Sequence, residues 1–317
     1  MNRIRRMLRE LDLRPVLVDV GASAAPPVIW RAIAPESTYV GFDPDARELR
    51  RDAARGFRSS LILPKAVVAD DAEATQLYLT ASPFCSSTLP PDTSALADYL
   101  FAPLFDVVGT ATVPATSLAR IPELTSIDWL KLDTQGTDLR IYESVPERMR
   151  TSMLALDIEP GLIDAYAGED FFTVAHARLI RDGWWLSDAR VLGAVRVRRA
   201  SVERLRARGV DETAIAASTR TSPGWVEARY LRTIDHLQRS GAGAHAYQLL
   251  WIFAMLDGQF GFAFDVAETI DSDALRAAAV AALKRNAARA GLRRFARRLP
   301  ASVRLPLVRV IDRFHGR

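Results

Sequence analysis

The sequence predicts an α/β fold with a mostly parallel sheet and helices on both of its faces. Short apolar runs rich in Val, Ile and Leu alternate with helix-like stretches through the first half of the chain. Near-continuous apolar strands separated by helices are typical of a parallel sheet that is covered on both sides. Hydrophobic residues make up 49% of the 317 residues and charged residues 25%, which supports a packed core and excludes wholesale disorder.

The strand predictions rest on apolar runs that end at a glycine, a proline or an acidic residue. Two weaker candidates, Gln76–Leu79 and Val107–Thr112, flank a loop rich in serine and proline. The principal strands are predicted at Pro15–Val20, at Thr38–Phe42, at Leu61–Leu63 continued by Ala66–Ala69, at Ile127–Leu132 and at Met153–Ile158.

Helical patterns fill the segments between these strands and dominate after about residue 200. Ser222–Leu237 is predicted as a helix, because Ser222 suits an N-cap and Pro223 suits the first turn. A late strand is predicted to follow the turn at Gly183. The other predicted helices are Pro44–Arg55, Phe171–Asp182, Glu203–Arg208, Ala244–Leu256 and Ala274–Ala290.

Four of the predicted strands end at a residue suited to ligand binding. These residues are Gly21, Asp43, Asp133 and Glu159. In open α/β sheets, ligands bind outside the carboxyl ends of the strands. We therefore expect the four residues to converge on one crevice, although they are far apart in sequence.

The first of these positions predicts a nucleoside site. Gly21 follows a strand at once, where a residue without a side chain allows a sharp turn, and Asp43 ends the next strand, where a carboxylate can accept bonds from ribose hydroxyls. The dinucleotide pattern G-x-G-x-x-G is absent, since Ser23 and Pro26 stand at its second and third glycines. A nucleoside without phosphates, such as S-adenosylmethionine, fits better; the alternative is an ordinary turn with a capping Asp.

Three segments resemble the FkbM-type S-adenosylmethionine-dependent methyltransferases. They are Val18–Ser23, Tyr39–Asp45 and above all Ile127–Glu143, whose Leu130–Gly136 block (LKLDTQG) is similar to the family's LKiDvqG. Later stretches at Met153–Glu159 and Phe171–Leu186 are also similar, so the resemblance covers about residues 14–190.

The resemblance implies a Rossmann-like class I methyltransferase with a seven-stranded sheet that transfers a methyl group to a hydroxyl. It places Asp43 at the ribose. Gln135 either contacts cofactor or substrate or caps the next helix. It places Asp19, Gly21 and Ala22 near the methionine part and Ala69 and Asp70 near the adenine. Ser23 and Pro44 are further candidates for cofactor binding.

For the chemistry, Asp133 is the first candidate for the base that removes the hydroxyl proton, and Glu159 is the second. The same pair could instead bind Mg²⁺, or Asp133 could be a cap after its strand. Lys131 either orients Asp133 or is simply a satisfied lysine at the edge of the sheet. Cys85 lies in the Ser/Pro loop with no histidine nearby in sequence, so it is not expected to be a nucleophile.

The charge is distributed unevenly. Residues 284–317 hold one lysine and ten arginines against Asp312, near +10, which leaves the rest of the chain near −6. The spacing of Arg293, Arg294 and Phe295 predicts an amphipathic tail that lies on an anionic membrane, or one that docks on the acidic body of a second subunit. No apolar run reaches the about 20 residues of a spanning helix and no signal peptide is recognisable, so a cytoplasmic enzyme is expected.

The predicted organisation is a methyltransferase domain at 1–200, a helical extension at 201–283 and the basic tail at 284–317. The preferred function is O-methylation of a small molecule or a glycan, such as a polysaccharide or lipid-linked sugar. The first alternative is a weakly catalytic scaffold, because residues 24–27 (AAPP) stand where the family has another glycine. Methylation of nucleic acid is a third possibility that the acidic body does not favour.

Overall fold

The computed structural model describes residues 2–23, 25–45 and 54–297, with side chains from residue 3 to residue 291 of these ranges. The strands are β1 Val16–Val20, β2 Thr38–Phe42, β3 Ser59–Leu63, β4 Ala66–Val67, β5 Ala74–Thr80, β6 Val107–Thr116, β7 Trp129–Leu132, β8 Ala155–Ile158, β9 Trp184–Ala194 and β10 Ser222–Arg232. The helices are α1 Asn2–Glu10, α2 Thr93–Leu96, α3 Asp138–Ser144, α4 Glu147–Ser152, α5 Phe172–Arg181, α6 Arg199–Arg206, α7 Glu212–Ser218, α8 Ile234–Arg239, α9 Ala244–Leu256, α10 Phe260–Thr269 and α11 Asp273–Arg297.

The central sheet has seven strands in the order β3-β2-β1-β7-β8-β10-β9. Neighbours from β3 to β8 pair in parallel, whereas β10 is antiparallel to both β8 and β9. The prediction of an α/β protein with a mostly parallel sheet is therefore confirmed. The chain extends the sheet in one direction from β1 and later in the other from β7, so the topological switch point lies between these two strands.

The predicted strands are confirmed except at the third. Leu61–Leu63 belongs to β3 in the central sheet, but the segment after Pro64 forms β4 in a separate three-stranded sheet of order β4-β6-β5. Proline fixes its own φ and lacks an N–H, so the two halves pair with different partners. Only part of the helix predicted at Pro44–Arg55 lies within the described residues, which omit 46–53.

The helix predicted at Ser222–Leu237 is wrong over most of its length. Ser222–Arg232 is β10, a strand inside the central sheet, and the helix α8 begins only at Ile234. Val226, Ala228 and Tyr230 are buried while Glu227 is exposed, which is the period-two alternation of a strand. The central sheet thus continues well beyond residue 200, into the segment predicted as a helical extension.

The main hydrophobic core surrounds the parallel strands. Val18, Val40, Leu130 and Leu156 come from four neighbouring strands, and Tyr142 packs on them from α3. These apolar strands are fixed by burial on the sheet's faces, which stabilises a fully buried Val or Leu by about 1.5–3 kcal/mol. The strand ends that carry the polar residues are therefore held by a packed scaffold.

The chain divides into two compact units at Leu249/Leu250. In the second unit, α10 packs against α11, and the helices predicted at Ala244–Leu256 and Ala274–Ala290 are confirmed. Among the described residues, no helix combines the length and the apolarity needed to cross a bilayer. The amphipathic pattern predicted around Arg293 and Phe295 concerns side chains outside the described part of the chain.

Candidate functional site

A cavity of about 360 Å³ opens at the carboxyl ends of the parallel strands, within the first compact unit. Its position at the topological switch point is where α/β sheets bind ligands, and its size is in the usual range for small-molecule sites. Seven of the residues predicted from the sequence line this one cavity: Gly21, Ser23, Asp43, Pro44, Asp133, Gln135 and Glu159.

Four other candidates do not line it. Asp19 and Ala22 are buried in the protein interior, and Ala69 and Asp70 are exposed. Asp70 accepts a hydrogen bond from the Ala72 amide, 3.1 Å away, which is a local turn. These four residues therefore have no place among the cavity-lining groups that the structure describes.

Position 21 requires a glycine for a structural reason that the sequence did not reveal. Its φ is +81°, in the region that favours glycine, and a Cβ there would come within 2.0 Å of the Asp133 carbonyl oxygen. The glycine thus lets the ends of β1 and β7 approach each other at the switch point. Its carbonyl also lies 3.3 Å from the Lys131 ammonium group.

After Ser23, the described residues of this turn do not line the cavity. Pro26 and Pro27 are not among the lining residues, and Ala24 lies outside the described residues. Pro27 precedes a short 3-10 helix at Val28–Ala32. The two prolines that motivated the scaffold alternative therefore leave the described cavity open.

Asp43 presents a carboxylate to the cavity from the end of β2. One oxygen accepts a hydrogen bond from the Asp45 amide at 2.8 Å, and among the described residues no side chain bonds to the other. Burial, with smaller contributions from the charges of Asp45, Asp133 and Asp19, raises the pKa of Asp43 to about 6. A hydroxyl donor from a ligand would stabilise this carboxylate.

Lys131 bridges two carboxylates at the switch point. Its Nζ lies 3.1 Å from Asp19 Oδ1 and 3.5 Å from Asp133 Oδ2. The Tyr39 hydroxyl donates to the other Asp19 oxygen at 3.0 Å. Burial raises the pKa of Asp19 while Lys131 lowers it. Lys131 lies on β7 inside the sheet, so it is not an edge lysine. Its shorter contact pairs it with Asp19, and its longer contact also lets it orient Asp133.

Gln135 holds the second oxygen of Asp133. Its Nε2 donates to Asp133 Oδ1 at 2.8 Å, while its own Oε1 lies 3.0 Å from the Tyr166 hydroxyl. Gln135 has φ of +56°, a conformation that costs a side-chain-bearing residue about 1–2 kcal/mol. Ser87 helps to hold it there, because its Oγ donates to the Gln135 carbonyl at 2.7 Å.

Glu159 differs from Asp133 in having no such partners. Among the described residues, none donates a hydrogen bond to its carboxyl group. Burial, followed by the charges of Asp133, Asp138 and Glu227, raises the pKa of Glu159. Its backbone is nevertheless fixed, since the Glu159 amide donates to Asp138 Oδ2 at 2.7 Å.

Asp138 is a residue whose role the sequence did not reveal. It is buried at the start of α3, and its other carboxylate oxygen accepts a bond from the Thr134 amide at 3.0 Å. One side chain therefore ties the end of β7 to the end of β8. Its place two residues after the LKLDTQG block is the signal that could have singled it out.

Glu169 and Tyr166 were missed altogether. Both line the cavity from the loop that follows β8. Glu169 has room there because Gly136 has no side chain: a Cβ added to Gly136 would lie 2.9 Å from the Glu169 Cβ. Burial raises the pKa of Glu169 to about 7. Arg140 clamps the loop, donating to Asp170 through Nη2 at 2.8 Å. No spacing in the sequence connects these residues, so only the fold could bring them together.

The donor set around Asp133 does not fit Mg²⁺. One Asp133 oxygen accepts from Gln135 and the other faces the Lys131 ammonium group, whereas Mg²⁺ demands octahedral oxygen ligands. Within the described ranges, no group of three His, Cys, Asp or Glu side chains is placed to hold a metal ion. The suggestion that Asp133 and Glu159 together bind a metal is not supported by this geometry.

The Ser/Pro loop closes another side of the cavity. Cys85, Ser86 and Ser87 all line it. Burial raises the pKa of the Cys85 thiol, so the group stays protonated near neutral pH and is a poor nucleophile. Nothing in this geometry gives the cysteine a catalytic task.

No protein-family model matches this chain, and no curated protein matches it at a significant level. The assignment of a function therefore depends on the cavity and its side chains.

Proposed function

We propose that this protein is an S-adenosylmethionine-dependent O-methyltransferase that acts on a hydroxyl of a small molecule or glycan. The observation that carries the proposal is the convergence of Gly21, Asp43, Asp133 and Glu159 on one cavity at the switch point of the sheet. These residues were expected to converge on chemical grounds, and they come from four separate strand ends. Their convergence also fits the Rossmann-like class I fold that the LKLDTQG block implies.

The β1–β2 end of the cavity suits the nucleoside part of the cofactor. Asp43 is buried and lines the cavity, and among the described residues no side chain bonds to the carboxylate oxygen that Asp45 leaves open. Gly21 and Ser23 line the same end with a turn that carries little side-chain bulk. S-adenosylmethionine would supply a methyl group on a positively charged sulfur, which the acidic lining would favour.

The β7–β8 end suits the removal of the acceptor's proton. Glu159 is the better base, because its carboxyl group has no donor among the described residues and its raised pKa lies closer to neutral pH. At Asp133, an incoming proton would compete with the hydrogen bonds from Gln135 and Lys131. We therefore assign the removal of the acceptor's proton to Glu159 and a positioning role to Asp133. This reverses the order in which the sequence favoured the two residues as the base.

Calorimetric titration with S-adenosylmethionine and S-adenosylhomocysteine tests the proposal. We expect micromolar binding by the wild type, lost in Asp43→Ala. Asp70→Ala is the matched control, since Asp70 was also a cofactor candidate but is exposed and outside the cavity. Because the pKa of Asp43 is about 6, the carboxylate is protonated as pH falls, and affinity should drop about tenfold from pH 8 to pH 5. Asp43→Asn should lose this part of the pH dependence.

Three outcomes would count against the proposal. Absence of binding by the wild type, with and without hydroxylated acceptors, would favour the scaffold. Equal binding by wild type and Asp43→Ala would move the nucleoside site elsewhere. Loss of binding in Asp70→Ala alone would assign the adenine to the exposed turn instead of the cavity.

A further inference from the structure

Four aromatic rings form a continuous wall at the β8–β10 end of the cavity. Phe101 stands between Trp225 and Phe105, with ring centroids 6.4 Å and 5.1 Å away. Phe105 in turn lies 5.6 Å from Tyr166. All four residues line the cavity. Because these rings pack on each other, they present a preformed apolar surface rather than a flexible one.

The apolar surface extends to the mouth of the cavity. Phe84 and Leu104 both line it, and their exposed fractions are 61% and 47%. Large apolar side chains left open beside a cavity are typical of ligand-binding surfaces. A ligand that covered them would gain from the removal of apolar area from water.

This wall lies away from the proposed nucleoside site. Asp43 ends β2 and Trp225 belongs to β10, which stand four places apart in the sheet; at about 4.8 Å per strand the separation is roughly 19 Å. Because β10 is antiparallel, its first residues lie at the edge where β8 ends, and Trp225 bridges to Gly161 there. The wall therefore borders the acceptor's end of the cavity.

The charge at this end is acidic. Glu159 and Glu169 are ionisable groups at this end, and the described residues that line it contain no lysine or arginine. Because burial raises the pKa of both carboxyl groups, they are fully charged only above neutral pH. Lys65, the one lysine or arginine among the described lining residues, lies next to β2, where its amide bonds to the same Leu63 carbonyl as the Asp43 amide. A phosphate or carboxylate at the wall would meet these two carboxyl groups, while the nearby Lys131 ammonium group is already paired with Asp19 and Asp133.

We infer that the acceptor is a neutral, phosphate-free hydroxyl compound whose apolar ring face packs on the wall of Trp225, Phe101, Phe105 and Tyr166. This inference rests on the proposed function and narrows its substrate class. It excludes nucleotide-linked sugars and sugars on lipid diphosphates, because each brings phosphate groups to the acidic end. It favours a compound with an aromatic or alicyclic body over a free sugar.

Two fluorescent probes that differ by one charge test the inference. N-phenyl-1-naphthylamine is neutral, and 1-anilinonaphthalene-8-sulfonate has the same rings with a sulfonate. Each is titrated into the full chain at pH 9, above the raised pKa values of the two glutamates, with and without saturating S-adenosylhomocysteine. We expect the neutral probe to bind at least about tenfold more tightly, since like charges oppose the sulfonate, and to bind together with S-adenosylhomocysteine. Glu159→Gln with Glu169→Gln should narrow this difference.

The wall variants locate the probe. Phe84→Ser and Trp225→Leu should each weaken the neutral probe by at least about fivefold and leave affinity for S-adenosylhomocysteine unchanged. Phe84 is largely exposed, so its variant reports on binding more than on folding. Val191→Ser is the control, because Val191 is 56% exposed on β9 and does not line the cavity.

Each alternative result has a definite meaning. Equal binding of both probes, or no effect of the wall variants, would overturn the neutral apolar acceptor while the methyltransferase proposal stands on S-adenosylhomocysteine binding. Displacement of the neutral probe by S-adenosylhomocysteine would show that the cofactor, and not the acceptor, contacts the wall. Binding of the neutral probe without any binding of the cofactor would overturn the proposed function and, with it, the assignment of an acceptor.

Discussion

Asp133 and Glu159 end neighbouring parallel strands in matching positions, yet their surroundings differ. Leu132 pairs with Ile158, so the two acids follow directly on paired residues. Asp133 is held by Lys131 on one oxygen and by Gln135 on the other. Glu159 receives no hydrogen bond at its carboxyl group from the described residues. Two carboxylates at one sheet edge can thus serve opposite purposes, one fixed in place and one kept for a proton.

The comparison is tested most strongly by the rate of methyl transfer. Glu159→Gln keeps the shape of the side chain but cannot accept a proton, so we expect kcat to fall by about 10²–10⁴-fold. Affinity for S-adenosylhomocysteine should stay within a factor of two or so, because the nucleoside is assigned to the other end. Glu123→Gln is the control, since Glu123 is exposed and outside the cavity. A Glu159→Gln enzyme with the wild-type rate would return the base to Asp133.

Removing the ammonium group of Lys131, which contacts both Asp133 and Asp19, is expected to cause a large loss of stability. Lys131→Met leaves buried Asp19 without its ammonium partner, and breaking such a buried pair costs about 3–5 kcal/mol. Adding Asp19→Asn should recover much of this free energy, because the uncompensated charge disappears. Urea denaturation of the two single variants and the double variant measures the coupling. Additive changes would show that Lys131 and Asp19 do not act as a pair.

Replacing Glu159, whose carboxyl group receives no hydrogen bond from the described residues, is expected to change stability in the opposite direction. The pKa of Glu159 is raised above its ordinary value of 4.5 by burial, so the folded state holds the proton more tightly than the unfolded state. That contribution to stability is fully present below pH 4.5 and is lost as pH rises through the raised folded pKa. Glu159→Gln should therefore be more stable than wild type at pH 9, by roughly 1–3 kcal/mol, and nearly equal to it at pH 5.

Thermal unfolding at both pH values checks this prediction. Asp157→Asn on the same strand is a useful contrast, because the Arg229 guanidinium donates to Asp157 at 2.7 Å, so its removal should destabilise the protein near neutral pH. A Glu159→Gln variant that lost stability at pH 9 would show that the carboxylate makes a favourable contact there.

The two acids also show which parts of the site the sequence could predict. Their strands are buried apolar runs with an abrupt polar end, so both position and convergence follow from the pattern and from parallel pairing. The difference in their hydrogen bonds could not be predicted. Gln135 holds Asp133 and is itself held by Tyr166, which lies in a loop with no periodic signal. The β10 segment was mispredicted because Ser222 and Pro223 suit a helix start, whereas pairing with β8 and β9 decides its conformation.

The smallest effect is expected at the far end of the chain of contacts that fixes Asp133. Tyr166→Phe removes the hydroxyl that lies 3.0 Å from Gln135 Oε1 and 2.9 Å from the Cys85 carbonyl. One such hydrogen bond contributes about 0.5–1.5 kcal/mol, so stability should fall by that amount while the aromatic wall is kept.

If the positive φ of Gln135 depends on this bond, Asp133 loosens and kcat falls severalfold, with KM for the acceptor nearly unchanged. Tyr78→Phe, a change of a hydroxyl outside the cavity lining, serves as the control. Full activity in Tyr166→Phe would mean that Gln135 and Lys131 hold Asp133 without help from the Tyr166 hydroxyl, and the difference between the two strand ends would then rest on those two contacts.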